Sequence, residues 1–86
     1  MMELKALFEK AAGESKQLSQ KPSNEILLQL YSLYKQATEG DATEDNEPTN
    51  PFDFIAKAKF SAWQGVKGKT KDEAMREYIA LVEKLK

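Results

Sequence analysis

The sequence predicts an all-α fold of four helices, on three observations. Apolar residues recur at spacings of three and four in four separate stretches, and no stretch shows the two-residue alternation of a half-buried strand. Helix-stop and helix-start residues stand between the stretches: Lys21-Pro22-Ser23-Asn24, Gly40, and Lys67-Gly68-Lys69-Thr70. The chain has 86 residues, 41% of them hydrophobic, enough for one core and one domain spanning 1–86. A sizeable sealed cavity would compete with that core for the same side chains. A surface groove is therefore the expected binding geometry.

The first helix is predicted over residues 3–17. Leu4, Phe8, Ala11, Ser15 and Leu18 follow one another at four, three, four and three residues. Gly13 weakens this helix slightly. The second is predicted from about Glu25 to Glu39, with Ser23 or Asn24 as its N-cap and Gly40 just past its end. Ile26, Leu30, Leu33 and Ala37 form one stripe, and Leu27, Tyr31, Tyr34 and Thr38 a neighbouring one. Two stripes are more than one small core contact needs. Residues 41–51 form an acidic, proline-containing loop, long for a compact bundle. Such a loop is functional, disordered or a plain linker, and composition does not choose. The third helix is expected from near Pro51-Phe52-Asp53 to about Val66. The fourth runs to about Leu85 behind a Thr70-x-x-Glu73 capping box, with Ala74, Tyr78, Leu81 and Leu85 on one face.

Composition excludes several functions. Thirteen Lys and Arg against fourteen Asp and Glu give a net charge of −1, without the basic excess of nucleic-acid modules. An anion site must come from a local group of lysines, since Arg76 is the single arginine. With no cysteine there are no disulfides, thiol nucleophiles or zinc thiolates. With no histidine the usual general base and the commonest metal ligand are missing. Met1-Met2-Glu3-Leu4-Lys5 is charged too early for a secretory signal. No apolar run approaches the ~20 residues of a membrane span. These signals lead us to expect a soluble, cytoplasmic protein, and the Met1-Met2 start suggests a complete or lightly altered chain.

Three constellations and one further tyrosine could carry binding. On helix two, Leu27 and Leu28 precede Tyr31, Tyr34 and Lys35, a strip that is apolar, then aromatic, then cationic. It suits an amphipathic ligand lying along the helix with tail, ring and phosphate in that order. The alternative is a core edge whose tyrosine hydroxyls and lysine simply reach water. Phe8, Ala12 and Lys16 repeat the order on helix one, where small Ala12 would admit a ligand or another helix; ordinary helix packing explains them equally. Lys57 and Lys59 are two apart and point away from each other. Lys59, one turn from both Ile55 and Trp63, is the better ligand candidate, and a solvated face is its alternative. Tyr78 on helix four either packs in the core with a partnered hydroxyl or covers a ligand.

Gly68-Lys69-Thr70 is not a P-loop, because Trp63 stands where the first glycine belongs. The acidic loop is not a calcium loop, because its sixth position is Asn46. The carboxylates form no recognisable acid–base pair, with Asp72, Glu73 and Glu77 at ordinary first-turn and surface positions.

Longer segments carry a resemblance. They are Phe8-Glu9-Lys10-Ala11-Ala12, Lys21-Pro22-Ser23, Tyr31-Ser32-Leu33-Tyr34-Lys35-Gln36-Ala37-Thr38 with Gly40-Asp41, Asp53-Phe54, Lys57-Ala58-Lys59-Phe60-Ser61-Ala62-Trp63, Lys67-Gly68, and Ala74-Met75-Arg76-Glu77-Tyr78-Ile79. Over essentially its whole length the chain resembles the acyl-CoA-binding protein family. The resemblance implies an up-down-down-up four-helix bundle that binds long-chain acyl-CoA thioesters reversibly and without chemistry. It implies Lys35 and Lys59 on the ribose 3′-phosphate, Lys16 and Tyr31 on the phosphates and nucleotide, and Tyr34 against the adenine. Tyr78 would contact the ligand from helix four, and Phe8, Ala12, Leu27 and Leu28 would line the acyl groove.

Phe60 departs from the family's usual tryptophan, the loop 41–51 is slightly longer than usual, and Ile55 extends the apolar wall. No cofactor, metal or nucleic acid is expected. The expected partners are acyl-CoA itself and, transiently, acyl-CoA-using enzymes or membranes, with the protein a monomer. The rival readings are a helical module that docks a protein through the Tyr31/Tyr34 face, and an enzyme. The second lacks any nucleophile–base pair.

Overall fold

The computed structural model describes residues 3–86; the Met1-Met2 start lies outside them. The four helices are α1 (Leu4–Ser15), α2 (Asn24–Glu39), α3 (Phe54–Gln64) and α4 (Lys71–Leu85), with a 3₁₀ turn at Glu44–Asn46. No strand occurs among the described residues.

Local chemistry sets the ends. α1 stops short of the predicted residue 17. The N–H groups of Lys16 and Gln17 bond three residues back, to the carbonyls of Gly13 (3.3 Å) and Glu14 (3.0 Å). Ser15 Oγ donates to the Ala12 carbonyl at 2.7 Å. This tighter pattern closes the helix, and Leu18 falls beyond it, half-buried. Ser23 proves to be the N-cap of α2, its Oγ accepting from the Ile26 N–H at 3.3 Å. α3 begins later than Pro51-Phe52 because Asp53 is its cap, accepting from the Ala56 N–H at 3.0 Å. It ends at Gln64, before Val66. α4 opens on the expected box: Glu73 N–H donates to Thr70 Oγ1 at 3.0 Å and Thr70 N–H to Glu73 Oε1 at 3.1 Å.

Side-chain pairings give the directions. Lys5 lies by Lys71 and Met75, while Glu14 pairs with Lys86, so α1 and α4 run parallel. Asn24 faces Phe54, and Lys35 faces Trp63, so α2 and α3 also run parallel. The C-terminal half of α2 meets the start of α4, where Gln36 bonds Lys69. The bundle is therefore up-down-down-up. α4 packs on α1 and α2, and α3 packs on α2. The result is a flat body of 43 × 28 × 15 Å.

The core is Phe8, Ala11, Leu30, Leu33, Ala37, Ala74, Tyr78 and Val82. It takes the first stripe of α2 and leaves the second at its edge, with Leu27 36% and Tyr34 43% exposed. On α4 the fully buried positions are Ala74 and Val82, while Leu81 and Leu85 are half-buried.

The long α2–α3 connection is anchored at its start. Gly40 has φ +85° and ψ −152°, backbone space that glycine alone enters cheaply. Its carbonyl accepts from buried Trp63 Nε1 at 2.8 Å. Asp41 Oδ1 accepts from Gln36 Nε2 at 2.7 Å and from the Gly68 N–H at 2.9 Å. Gln36, fully buried, also donates to the Lys69 carbonyl at 2.9 Å. One side chain on α2 thereby ties the loop to the α3–α4 turn. Gly68, at φ +95°, lets that turn aim its N–H at Asp41. These two donors, with Lys67 nearby, hold the Asp41 carboxyl below the ordinary carboxylate range.

Candidate functional site

Tyr31 is the hinge of the candidate site. Its ring lines three adjoining cavities, because α2 contacts α3 on one side and faces α1 and α4 on the other. The first is a groove of about 480 Å³ between α2 and α3, walled by Leu27, Leu28, Phe54, Ile55 and Ala58 and closed at one end by Tyr31 and Lys59. Its lining includes no carboxylate. The second, about 220 Å³, continues past Tyr31 to Lys35, Phe60 and Trp63, with Asn46 and Pro48 from the loop. The third, about 350 Å³, lies between α1, α2 and α4 and is bordered by Ala12, Lys16, Tyr34 and Tyr78.

The cations converge on Tyr31. Lys59 Nζ stands 5.3 Å from its ring centroid and Lys35 Nζ 6.0 Å, and Lys35 Nζ is also 5.4 Å from the Trp63 ring. These are cation–π distances. Lys35 is paired with Glu39, one turn on. That hydrogen bond raises the Lys35 ammonium above the ordinary lysine range, so it stays charged through neutral pH. Lys59 and Lys16 make no ion pair among the described residues. An anion beside Tyr31 would meet one unpaired ammonium and one shared with a carboxylate.

On the α1 side three rings interlock. Phe8 stacks on Tyr34 at 5.4 Å and meets Tyr78 edge-on at 5.1 Å. Tyr78 is 4% exposed, and its hydroxyl donates to Ser15 Oγ at 3.1 Å. It is thus a core residue with a partnered hydroxyl that also borders a cavity, combining the two roles its sequence position left open. Half-exposed Tyr34 rests on Phe8.

The structure brings Leu27, Leu28, Tyr31 and Lys59 into one groove and Lys35 beside it. Ala12, Lys16, Tyr34 and Tyr78 border the cleft on the other side of Tyr31. Phe8 lies beneath Tyr34 and lines a further open cleft of about 690 Å³ with Ala12 and Lys16, apart from Leu27 and Leu28. Sequence reasoning passed over Gln36, Asp41 and Ser15, which hold the frame. A glutamine three residues after Leu33 and one before Ala37, on the core stripe, was the available signal. Phe54, Asn46 and Pro48 were also missed as lining, since neither loop path nor helix register places them. No group of three or more His, Cys, Asp or Glu among the described residues could hold a metal. No helix there is long and apolar enough to cross a membrane.

A flat up-down-down-up bundle with an amphipathic groove on its central helix defines a class of small helical binding domain. Within that class, this chain belongs to the acyl-CoA-binding protein family: residues 5–82 match the family described as Acyl CoA binding protein. It is 50% identical over 78 residues to acyl-CoA-binding protein homolog 1 of Caenorhabditis elegans, covering 91% of this chain and 88% of the relative. It is 47% identical over 79 residues to the acyl-CoA-binding protein of Saccharomyces cerevisiae, covering 92% and 88%. Its fold superposes on the crystal structure of Oryza sativa acyl-CoA-binding protein 2 with a TM-score of 0.89 at 43% identity, covering 96% of this chain and 90% of that one.

Proposed function

We propose that this protein binds long-chain acyl-CoA thioesters reversibly, without chemistry, and so buffers and carries them. One observation carries the reading. The second stripe of α2 stays out of the core, and that side of α2 forms with α3 a wall that passes from Leu27 and Leu28 through Tyr31 to Lys35 and, on α3, Lys59. That order matches an alkyl tail followed by a phosphorylated head. The acyl chain lies in the α2–α3 groove, gaining about 0.8 kcal/mol per buried CH₂. Lys35 and Lys59 take the ribose 3′-phosphate by charge-assisted hydrogen bonds, with Glu39 releasing or sharing Lys35. The nucleotide crosses Tyr31 towards Tyr34, Lys16 and Tyr78, and small Ala12 above Phe8 leaves it room. Transient contact with acyl-CoA-using enzymes or membranes, a monomeric state and a cytoplasmic site of action complete the proposal.

Isothermal titration with palmitoyl-CoA, CoA and palmitate, each below its aggregation limit, tests it. Tight one-to-one binding of the thioester, weaker binding of CoA and little binding of palmitate are expected. Failure of the thioester to bind a folded sample would refute the proposal and leave a protein partner at the Tyr31/Tyr34 face as the alternative.

A further inference from the structure

Three residues in the segment 52–55 are the most exposed large apolar ones among the described residues: Phe52 is 79% exposed, Phe54 74% and Ile55 72%. Phe54 and Ile55 form the outer lip of the α2–α3 groove, whereas Phe52 stands before the helix and lines no part of it. We infer that this tip inserts into the surface of a lipid bilayer and sets the mouth of the groove against the membrane. The inference rests on the proposed acyl-CoA function, because the tail the groove would accept also partitions into bilayers.

Two observations favour lipid over a protein partner. The first is the backbone of the tip, whose amide donors are largely satisfied internally. Phe52 N–H donates to Asn50 Oδ1 at 2.9 Å, and Asp53 N–H to the Asn50 carbonyl at 3.2 Å. Ala56 N–H donates to Asp53 Oδ1 at 3.0 Å, and Lys57 N–H to the Asp53 carbonyl at 3.1 Å. Such a turn enters an apolar medium without stranding those donors. The second is continuity: Phe54 and Ile55 belong both to the tip and to the groove wall, whose lining holds no carboxylate, so a tail can slide from bilayer to groove without crossing water; the one carboxylate of the tip, Asp53, turns its Oδ1 back to the Ala56 N–H. Lys57, about one turn up α3 from Phe54, suits the level of lipid phosphates. With a net charge of −1, insertion rather than long-range attraction is the driving term.

The test is flotation with phosphatidylcholine vesicles, with and without phosphatidylserine, combined with the rate of palmitoyl-CoA pick-up from donor vesicles. Wild type should float weakly with both, somewhat more with phosphatidylserine, and its pick-up rate should rise with vesicle concentration. Phe52→Ser should lower flotation roughly tenfold, the scale of losing one large inserted apolar side chain. It should leave palmitoyl-CoA affinity in vesicle-free solution unchanged. Absence of wild-type flotation on both vesicles, or a Phe52→Ser variant that floats like wild type, would overturn the inference. Flotation that depends on Phe52 in a protein that fails to bind palmitoyl-CoA would overturn the proposed function and leave the docking tip standing.

Discussion

At the scale of single residues, charge and hydroxyl placement give separable outcomes. Lys59 faces Tyr31 with no acidic partner among the described residues, so Lys59→Ala should weaken palmitoyl-CoA and CoA alike by about 1.5–3 kcal/mol, the range for a hydrogen bond to a charged group. Titration calorimetry of both ligands checks this, and an unchanged CoA affinity would remove Lys59 from the phosphate. Tyr78→Phe deletes only the bond to Ser15 Oγ and should cost about 0.5–1.5 kcal/mol in chemical denaturation. Asp41 links stability to pH. Its folded pKa is depressed, first by the Gly68 N–H and then by Gln36. Its contribution is therefore complete above the unfolded carboxylate value of about 3.9 and is lost as pH falls through the lower folded value. Asp41→Asn should flatten the stability–pH curve below about pH 4, as urea melts across that range would show.

At the scale of elements, α2 matters most because it serves the core with one stripe and the groove with the next. Leu27 lies on the groove side, 36% exposed, so Leu27→Ala should cost little stability. It should instead reduce the gain in affinity between lauroyl-CoA and palmitoyl-CoA while leaving CoA binding unchanged. An unaltered chain-length series would place the tail elsewhere. The end of α2 depends on Gly40, whose backbone angles are nearly closed to other residues. An added Cβ there meets no hard contact, only Lys71 Cε at 3.8 Å. Gly40→Ala should thus cost about 1–3 kcal/mol through conformation alone, measurable by thermal melting.

At the scale of the whole molecule, the flat arrangement explains how so small a chain binds anything. Both flanking helices lean on a central pair, so the clefts lie between helices at the edge of the core, sharing Phe8, Leu30 and Tyr78 with it. The position of the site was partly legible beforehand. Tyr31 and Tyr34 stood out because a second stripe exceeds what a small core uses, Lys35 because it lies one turn beyond Tyr31, and Lys59 because it lies one turn from both Ile55 and Trp63 on α3. The separation of Phe8 and Ala12 from Leu27 and Leu28 was not legible, since helix periodicity says which residues share a face and nothing about which helix they meet.

The sequence by itself determined the number of α-helices, the breaks between them, the Gly40 stop and the Thr70-x-x-Glu73 cap, and the division of α2 into two stripes. Those are local properties, set within a few residues by side-chain spacing, hydrogen-bonding caps and glycine. Tertiary structure alone decided that Gln36, Asp41, Gly68 and Trp63 join one network, that Lys35 and Lys59 meet over Tyr31, and that Tyr78 finds its partner in Ser15. Each of these contacts joins residues on different helices or loops. Their distances depend on how two helices cross and where a loop returns, which the packing of the whole core settles.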